Sequence, residues 1–294
     1  MYCMMRSEQE MLDLILNTAR EDVRIRAVIL NGSRANPNVA RDIFQDFDIV
    51  FLVTEIAPFK DDPDWISRFG ELMILQIPDD MQDPPPDPGD GFAYLMQFSD
   101  GNRLDLTLFP LDKLDTLEED SLSILLLDKN GIFTHLPPPN ESQYLPKPPT
   151  AKQFADCCNE FWWVSPYVAK GLWREEILYA KHMLDQVMRE QLLEMLVWYI
   201  GVKTNFEVNT GKFSKHFEKF LEPALWEMLL RSYADADYQK TWVALFEMCA
   251  LFRQTARVVA EVFDFEYPSG DDEKVSKYLA LVQSLPPDAK DFFE

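Results

Sequence analysis

The 294 residues carry 28 Lys and Arg against 50 Asp and Glu, a formal charge of −22, with 47% hydrophobic content. That balance argues against extended nucleic-acid binding, which needs cations to displace counterions along phosphates, and it suits a cationic substrate. The chain is long enough for two cores and has no apolar run near the roughly 18–20 residues that cross a bilayer, so two domains of a cytoplasmic protein are expected.

The first ten residues lack the apolar core of a secretory signal. Ser7 with Glu10 forms a capping box, in which each side chain satisfies a backbone N–H of the other, and Met11, Leu12, Ile15 and Ala19 then share one helical stripe. Residues 23–30 form a β-branched and aliphatic strand that stops at Asn31-Gly32-Ser33. After a polar loop a second strand runs from Gln45 to Val53. Alternation along that strand puts Asp46 and Asp48 on one face and Phe47, Ile49 and Phe51 on the other.

Two carboxylates two residues apart repel each other unless a hard cation sits between them. Mg²⁺ takes one or two carboxylates and completes its shell with substrate phosphate oxygens. Gly32 lets the backbone approach a phosphate, and Ser33 adds a hydroxyl and an N–H donor. Arg34, next in line, either adds charge or pairs with an acid of the loop. An Asp-x-Asp pair alone is common in solvated loops. The order of strand, Gly-Ser turn, spacer, Asp-x-Asp and strand is far more specific.

Further along, residues 63–69 suit a short helix and residues 72–77 a strand. The proline-rich, acidic residues 78–91 exclude regular structure and are expected as a surface loop, a connector that is also placed to face a cationic substrate. Residues 92–98 and 103–109 are strands joined by Ser99-Asp100-Gly101-Asn102, a hairpin. Asp105 interrupts the second of them, and a carboxylate there needs a partner or a cation. It is either ion-paired with Arg103, on the same face, or the third acid of the clamp. Residues 123–127 and 132–136 flank another turn signal and are expected as a hairpin, with His135 structural.

The four cysteines, Cys3, Cys157, Cys158 and Cys249, show no zinc spacing and are expected reduced. Residues 136–150, LPPPNESQYLPKPPT, mark the domain boundary, giving a first domain over 1–136, a linker over 137–149 and a second domain over 150–294. The first 149 residues hold 12 Lys and Arg against 27 Asp and Glu, so most of the acidic excess lies there.

Beyond the linker the pattern is helical. Thr150 with Gln153 forms a second capping box. Asn159, Trp163, Tyr167 and Lys170 fall on one face of a helix expected to break or bend near Pro166, a face suited either to core packing or to lining a cleft between the domains. Residues 174–202 form a long amphipathic helix with Ile177, Leu184, Val187, Met188 and Leu192 among its apolar positions. Residues 209–216, NTGKFSKH, break the pattern and concentrate positive charge, so Lys212 and Lys215 are placed to meet nucleotide phosphates. Helices over 216–231, 237–263 and 271–285 complete a bundle.

Gly32-Ser33, then Asp46-x-Asp48, then Asp105 among apolar residues resembles the signature of the polymerase-β-like nucleotidyltransferases. NGSRANPN, FQDFDIVF, YLMQFSDGNRLDLTLFPL and CCNEFWWVSPYVAKGLW are more narrowly similar to the aminoglycoside 6-adenylyltransferases, the streptomycin-modifying branch, and this likeness extends over most of the chain. It implies an α+β fold, a mixed-sheet nucleotidyltransferase domain followed by an α-helical bundle. It also implies transfer of AMP from MgATP to a streptomycin hydroxyl, the one at position 6, with release of pyrophosphate and loss of the antibiotic's action. On that resemblance Asp46, Asp48 and Asp105 are the catalytic acids and metal ligands, with Asp105 either in the metal shell or the general base. Gly32, Ser33, Arg34, Lys212 and Lys215 bind the nucleotide. Streptomycin's guanidinium groups call for carboxylates and aromatic faces, and Glu160, Trp163 and Tyr167 are taken for them. The alternatives are another acceptor within the superfamily, or a nucleotide-binding protein without turnover.

Overall fold

A computed structural model describes residues 4–85, 89–134 and 136–292. The chain divides into two compact units, Met1–Gln143 and Tyr144–Glu294. The fold is α+β: a mixed six-stranded sheet in the first unit and, among the described residues, helices without strands in the second.

The first unit opens with helix α1 (Glu8–Glu21), started by the Ser7–Glu10 capping box. Six strands follow, with a single helical turn, α2 (Ala57–Lys60), after the second: β1 (Ile25–Asn31), β2 (Phe47–Val53), β3 (Leu72–Gln76), β4 (Phe92–Phe98), β5 (Arg103–Pro110) and β6 (Ser123–Asp128). They lie in the order β3-β4-β5-β2-β1-β6. All neighbours are antiparallel except β2 and β5, which run parallel. That one parallel pairing sets Asp48 level with Asp105, although 57 positions separate them in the chain.

Alternation gives the sheet two unlike faces. One is the main core, where Met11, Ile15 and Ala19 of α1 pack on Phe47, Ile49, Phe51, Leu104, Leu106 and Leu108. Trp65 anchors it, edge-on to Phe59 at 4.8 Å and to Phe69 at 5.5 Å. Each such large side chain stabilises the fold by roughly 1.5–3 kcal/mol on burial. The other face has a smaller cluster, Ala27, Ile29, Val50, Leu52 and Phe109, and it is the face that carries the acids.

One expectation for this unit changes. Over the described residues of 132–136 there is no strand. Instead Asp128 accepts the N–H groups of Asn130 and Phe133, both at 3.0 Å, and this local turn competes successfully with a ladder. His135 and Cys3 lie outside the described residues. The start of the proline-rich segment is tied to the first unit: the Asn140 N–H bonds the Ser121 carbonyl at 2.8 Å, and Glu141 accepts from Asn36 and Asn38, each at 2.9 Å.

The second unit comprises α3 (Ala151–Trp173), α4 (Ile177–His182), a π turn over Met183–Met188, α5 (Arg189–Thr204), α7 (Pro223–Arg231), α8 (Tyr238–Phe263) and α9 (Ser269–Ser284), with a single helical turn, α6 (Phe217–Phe220), before α7. Phe161 stacks on Phe252 at 3.7 Å in its core. Helix α3 runs unbroken through Pro166. The proline removes the donor for the Trp162 carbonyl, and the Ser165 hydroxyl supplies one instead, at 3.0 Å. The helix expected over 174–202 begins at Ile177, after Glu175 takes a left-handed φ of 58°, and passes through the π turn. Asp185 in that turn is held by Lys181 at 2.8 Å and Arg189 at 3.0 Å. The helix expected over 216–231 divides because Pro223 starts a new one. Cys157, Cys158 and Cys249 are buried and free. No helix among the described residues is long and apolar enough to cross a membrane.

Candidate active site

The site is built where β1 ends beside the mouth of β2. Asn31, last residue of β1, stands opposite Asp48 across the antiparallel pair. Its amide oxygen accepts the Ser123 hydroxyl at 2.8 Å, which ties β6 to the same edge. Gly32 then takes φ +71° and donates its N–H to the Leu122 carbonyl at 3.1 Å. A Cβ on this glycine would lie 2.4 Å from Asp48 Oδ2. The backbone turn and the carboxylate therefore occupy one space, and glycine is the residue that permits both the left-handed φ and the approach. Ser33 follows in the short 3₁₀ turn Gly32–Arg34.

Three carboxylates share this region. Burial pushes the Asp48 carboxyl up to about 6, and the charges of Asp105 and Asp46 push it in the same direction. Asp120, in the connection before β6, adds to this more weakly. Burial also raises Asp46, with Arg103 opposing the rise. Asp105 is differently placed: Arg103 forms a two-pronged pair with it, Nε to Oδ1 and Nη2 to Oδ2, each at 2.8 Å. The same guanidinium lies 3.6 Å from Asp46 Oδ2. So the Arg103 partnership weighed from the strand's alternation is present, and it sits inside the acidic cluster rather than apart from it.

The oxygen donors suit a hard cation. Among the described residues, however, no group of three or more His, Cys, Asp or Glu is arranged to hold a metal ion. As placed, Asp46 and Asp48 are the two carboxylates without a cationic fork of their own, while Asp105 faces Arg103. Two carboxylates are enough for Mg²⁺ when a substrate phosphate supplies further oxygens.

Arg34 is placed otherwise than expected. It is buried, 5% exposed, and its guanidinium donates to the Asp46 carbonyl at 3.0 Å and the Gln45 carbonyl at 2.8 Å. It also lies 3.8 Å over the Phe47 ring. Its acidic partner is Glu8 of α1, at 3.1 Å, and not an acid of the loop. These contacts use the donors along the protein's own backbone, so Arg34 shapes the entry of β2 and thereby sets Asp46.

The remaining site residues named from sequence lie in the second unit. Glu160, Trp163 and Tyr167 fall on α3. Trp163 is 62% exposed and meets Tyr167 edge-on at 6.4 Å, with the Lys170 ammonium 4.4 Å from the Tyr167 ring. Trp163 is thus a surface residue, whereas Tyr167 is half-buried against the bundle core. Glu160 borders a shallow cavity with Asp156, Glu194 and Trp198. Lys212 and Lys215 are both exposed, in a turn where Gly211, Phe213 and Ser214 all have positive φ. Asn31, Ser123, Asp120 and the clamping role of Arg34 were missed from sequence. Only Asn31, adjoining the Gly-Ser turn, had a local signal that could have found it.

A family model described as streptomycin adenylyltransferase matches residues 5–282. The chain is 43% identical over 276 residues to an aminoglycoside 6-adenylyltransferase of Bacillus subtilis (strain 168), covering 93% of this chain and 97% of that one. It is 44% identical to one of Campylobacter jejuni, covering 94% and 95%, and 39% identical to one of Staphylococcus aureus, covering 90% and 95%. A solved structure of an aminoglycoside 6-adenyltransferase from Bacillus subtilis, 38% identical, aligns over 96% of this chain and 100% of that one with a TM-score of 0.47.

Proposed function

The chain belongs to the streptomycin adenylyltransferase family, and on that premise we propose that it transfers AMP from ATP to the 6-hydroxyl of streptomycin, releasing pyrophosphate. The observation that carries this reading is the Gly32–Asp48 contact, a backbone turn pressed against a half-buried carboxylate that is level with a second one on β5. A turn free of side chain beside a pair of acids is what a phosphate and its counter-cation need.

Asp46 and Asp48 would hold Mg²⁺ through hard oxygen donors, and the ion would supply charge neutralisation on the phosphates. Gly32 and Ser33 present backbone N–H groups and a hydroxyl to the phosphate. Asp105 accepts the proton of the attacking hydroxyl, and the two-pronged pair with Arg103 fixes the plane of its carboxylate. Lys212 and Lys215 are exposed cations in a chain that is otherwise strongly acidic, chemically suited to an anionic group. The exposed Trp163 ring and the half-buried Tyr167 ring, with Glu160 on the same helix, offer aromatic and acidic contacts to a polycationic sugar.

The deciding experiment is pyrophosphate release from MgATP by the purified protein, with streptomycin and, as controls, kanamycin and spectinomycin. Release that requires both streptomycin and Mg²⁺ is expected. Release with another aminoglycoside alone moves the acceptor, and none with any of them overturns the activity. Within that assay Asp105→Asn is expected to lower kcat by about 10²–10⁴-fold, the usual share of a general base, with the affinity for ATP nearly unchanged. Loss of ATP affinity in the same proportion assigns Asp105 to the metal shell instead.

A further inference from the structure

The face of the sheet that carries the acids also encloses a cavity of about 380 Å³ within the first unit. Its floor is apolar, from Ile29, Val50, Leu117 and Phe133, and its rim carries Glu118 and Glu119. Asn31 and Ser123, the hydrogen-bonded pair at the edge of the reacting site, belong to its lining. Val50 is two residues beyond Asp48 on β2 and Asn31 stands opposite Asp48, so the cavity and the acids are neighbours on one surface. Its outer wall is residues 136–143, pinned by the Asn140–Ser121 and Glu141–Asn36 hydrogen bonds, so the space is preformed.

We propose that this cavity receives the guanidinium-bearing ring of the acceptor, with the ring over the apolar floor and Glu118 and Glu119 pairing with its cations. The proposal rests on the reading of the acceptor as a polycationic aminoglycoside. The chemistry selects between the two substrates. A nucleoside triphosphate would bring its negative charge against carboxylates at the rim, whereas a guanidinium is planar, weakly hydrated and matched to a carboxylate by two parallel hydrogen bonds. Phe133 adds a ring face for such a cation, and the apolar floor suits the C–H faces of a cyclitol. The volume lies at the small end of ordinary ligand pockets, enough for one ring and not for a whole trisaccharide.

Glu118 and Glu119 are exposed, so their double replacement, Glu118→Gln with Glu119→Gln, leaves the fold intact. Leu117→Trp fills the cavity without touching charge. Each protein is titrated with streptomycin by calorimetry in the absence of nucleotide, and its KM values for streptomycin and ATP are measured. Both variants are expected to weaken streptomycin at least tenfold while KM for ATP stays within twofold. Unchanged streptomycin binding in both variants, or a KM for ATP that rises in step, overturns the assignment. A wild-type protein that binds streptomycin and loses that binding in the variants, yet releases no pyrophosphate, refutes the transferase reading and keeps the cavity. A wild type that transfers AMP with variants that match it does the reverse.

Discussion

Asp48→Asn is expected to lose turnover by about 10³-fold or more while the protein becomes harder to unfold at neutral pH. The loss follows from removing a charge aimed at the phosphate and its counter-cation, an electrostatic effect of a few kcal/mol on the barrier. The gain follows from linkage. The Asp48 carboxyl is raised from an ordinary 3.8 to about 6 by burial and by Asp105 and Asp46. A raised acid is favourable while protonated: its contribution is whole below about pH 4 and is lost as pH climbs through 6, where the folded protein must hold an unwelcome charge. At pH 7 that penalty amounts to roughly 1–3 kcal/mol, from about 1.4 kcal/mol for each unit of displacement. Asparagine is of similar size and carries no charge, so it removes the penalty and flattens the fall in stability between pH 4 and 6. Thermal unfolding of wild type and variant across that range, beside the pyrophosphate assay, checks both halves. Turnover within tenfold of wild type removes Asp48 from the reaction. An unchanged stability slope removes the account of its burial.

Gly32→Ala should be the most disruptive single methyl in the first unit. The new Cβ would stand 2.4 Å from Asp48 Oδ2, and φ +71° is itself strained for alanine. The backbone strain costs about 1–2 kcal/mol, and relief of the clash requires either the turn or the carboxylate to move. Either movement spoils the phosphate contact and the placing of Asp48, so kcat/KM is expected to fall at least about 10²-fold, the scale of a misplaced reacting geometry. Alanine at Gly101, which also has a positive φ but has nothing within 4 Å of its would-be Cβ, is the control. It carries the backbone strain alone, so its activity should stay near wild type. Equal losses at the two positions would mean that strain, and not proximity to Asp48, explains the effect.

Membership of the family and the α+β plan were legible in the order of the residues, because what announces them is local. Capping boxes, alternation and turn residues operate over two to four positions, and they placed α1, α3 and the strands that carry Asp48 and Asp105. The same locality explains the errors. Asp128 could have begun a hairpin, and its own side chain captured the following N–H groups instead. Pro166 could have broken α3, and Ser165 one residue earlier replaced the missing donor.

The order of residues sets the chemical groups: a glycine-serine turn, three acids and a cationic loop in a strongly acidic chain. How each group is used depends on partners that folding brings to it. Arg34 looked like charge for a phosphate and is instead a buried brace, because its partners Glu8 and the Gln45 and Asp46 carbonyls come from 26 positions before it and 11 and 12 after it. Asp105 could be paired or free, and a parallel register between β2 and β5 put it level with Asp48 while Arg103 took its oxygens. The cavity beside them needs Ile29, Val50, Glu119 and the pinned proline-rich segment together. Contacts of that kind join positions from 11 to 105 residues apart, and no periodicity of a few residues can register them.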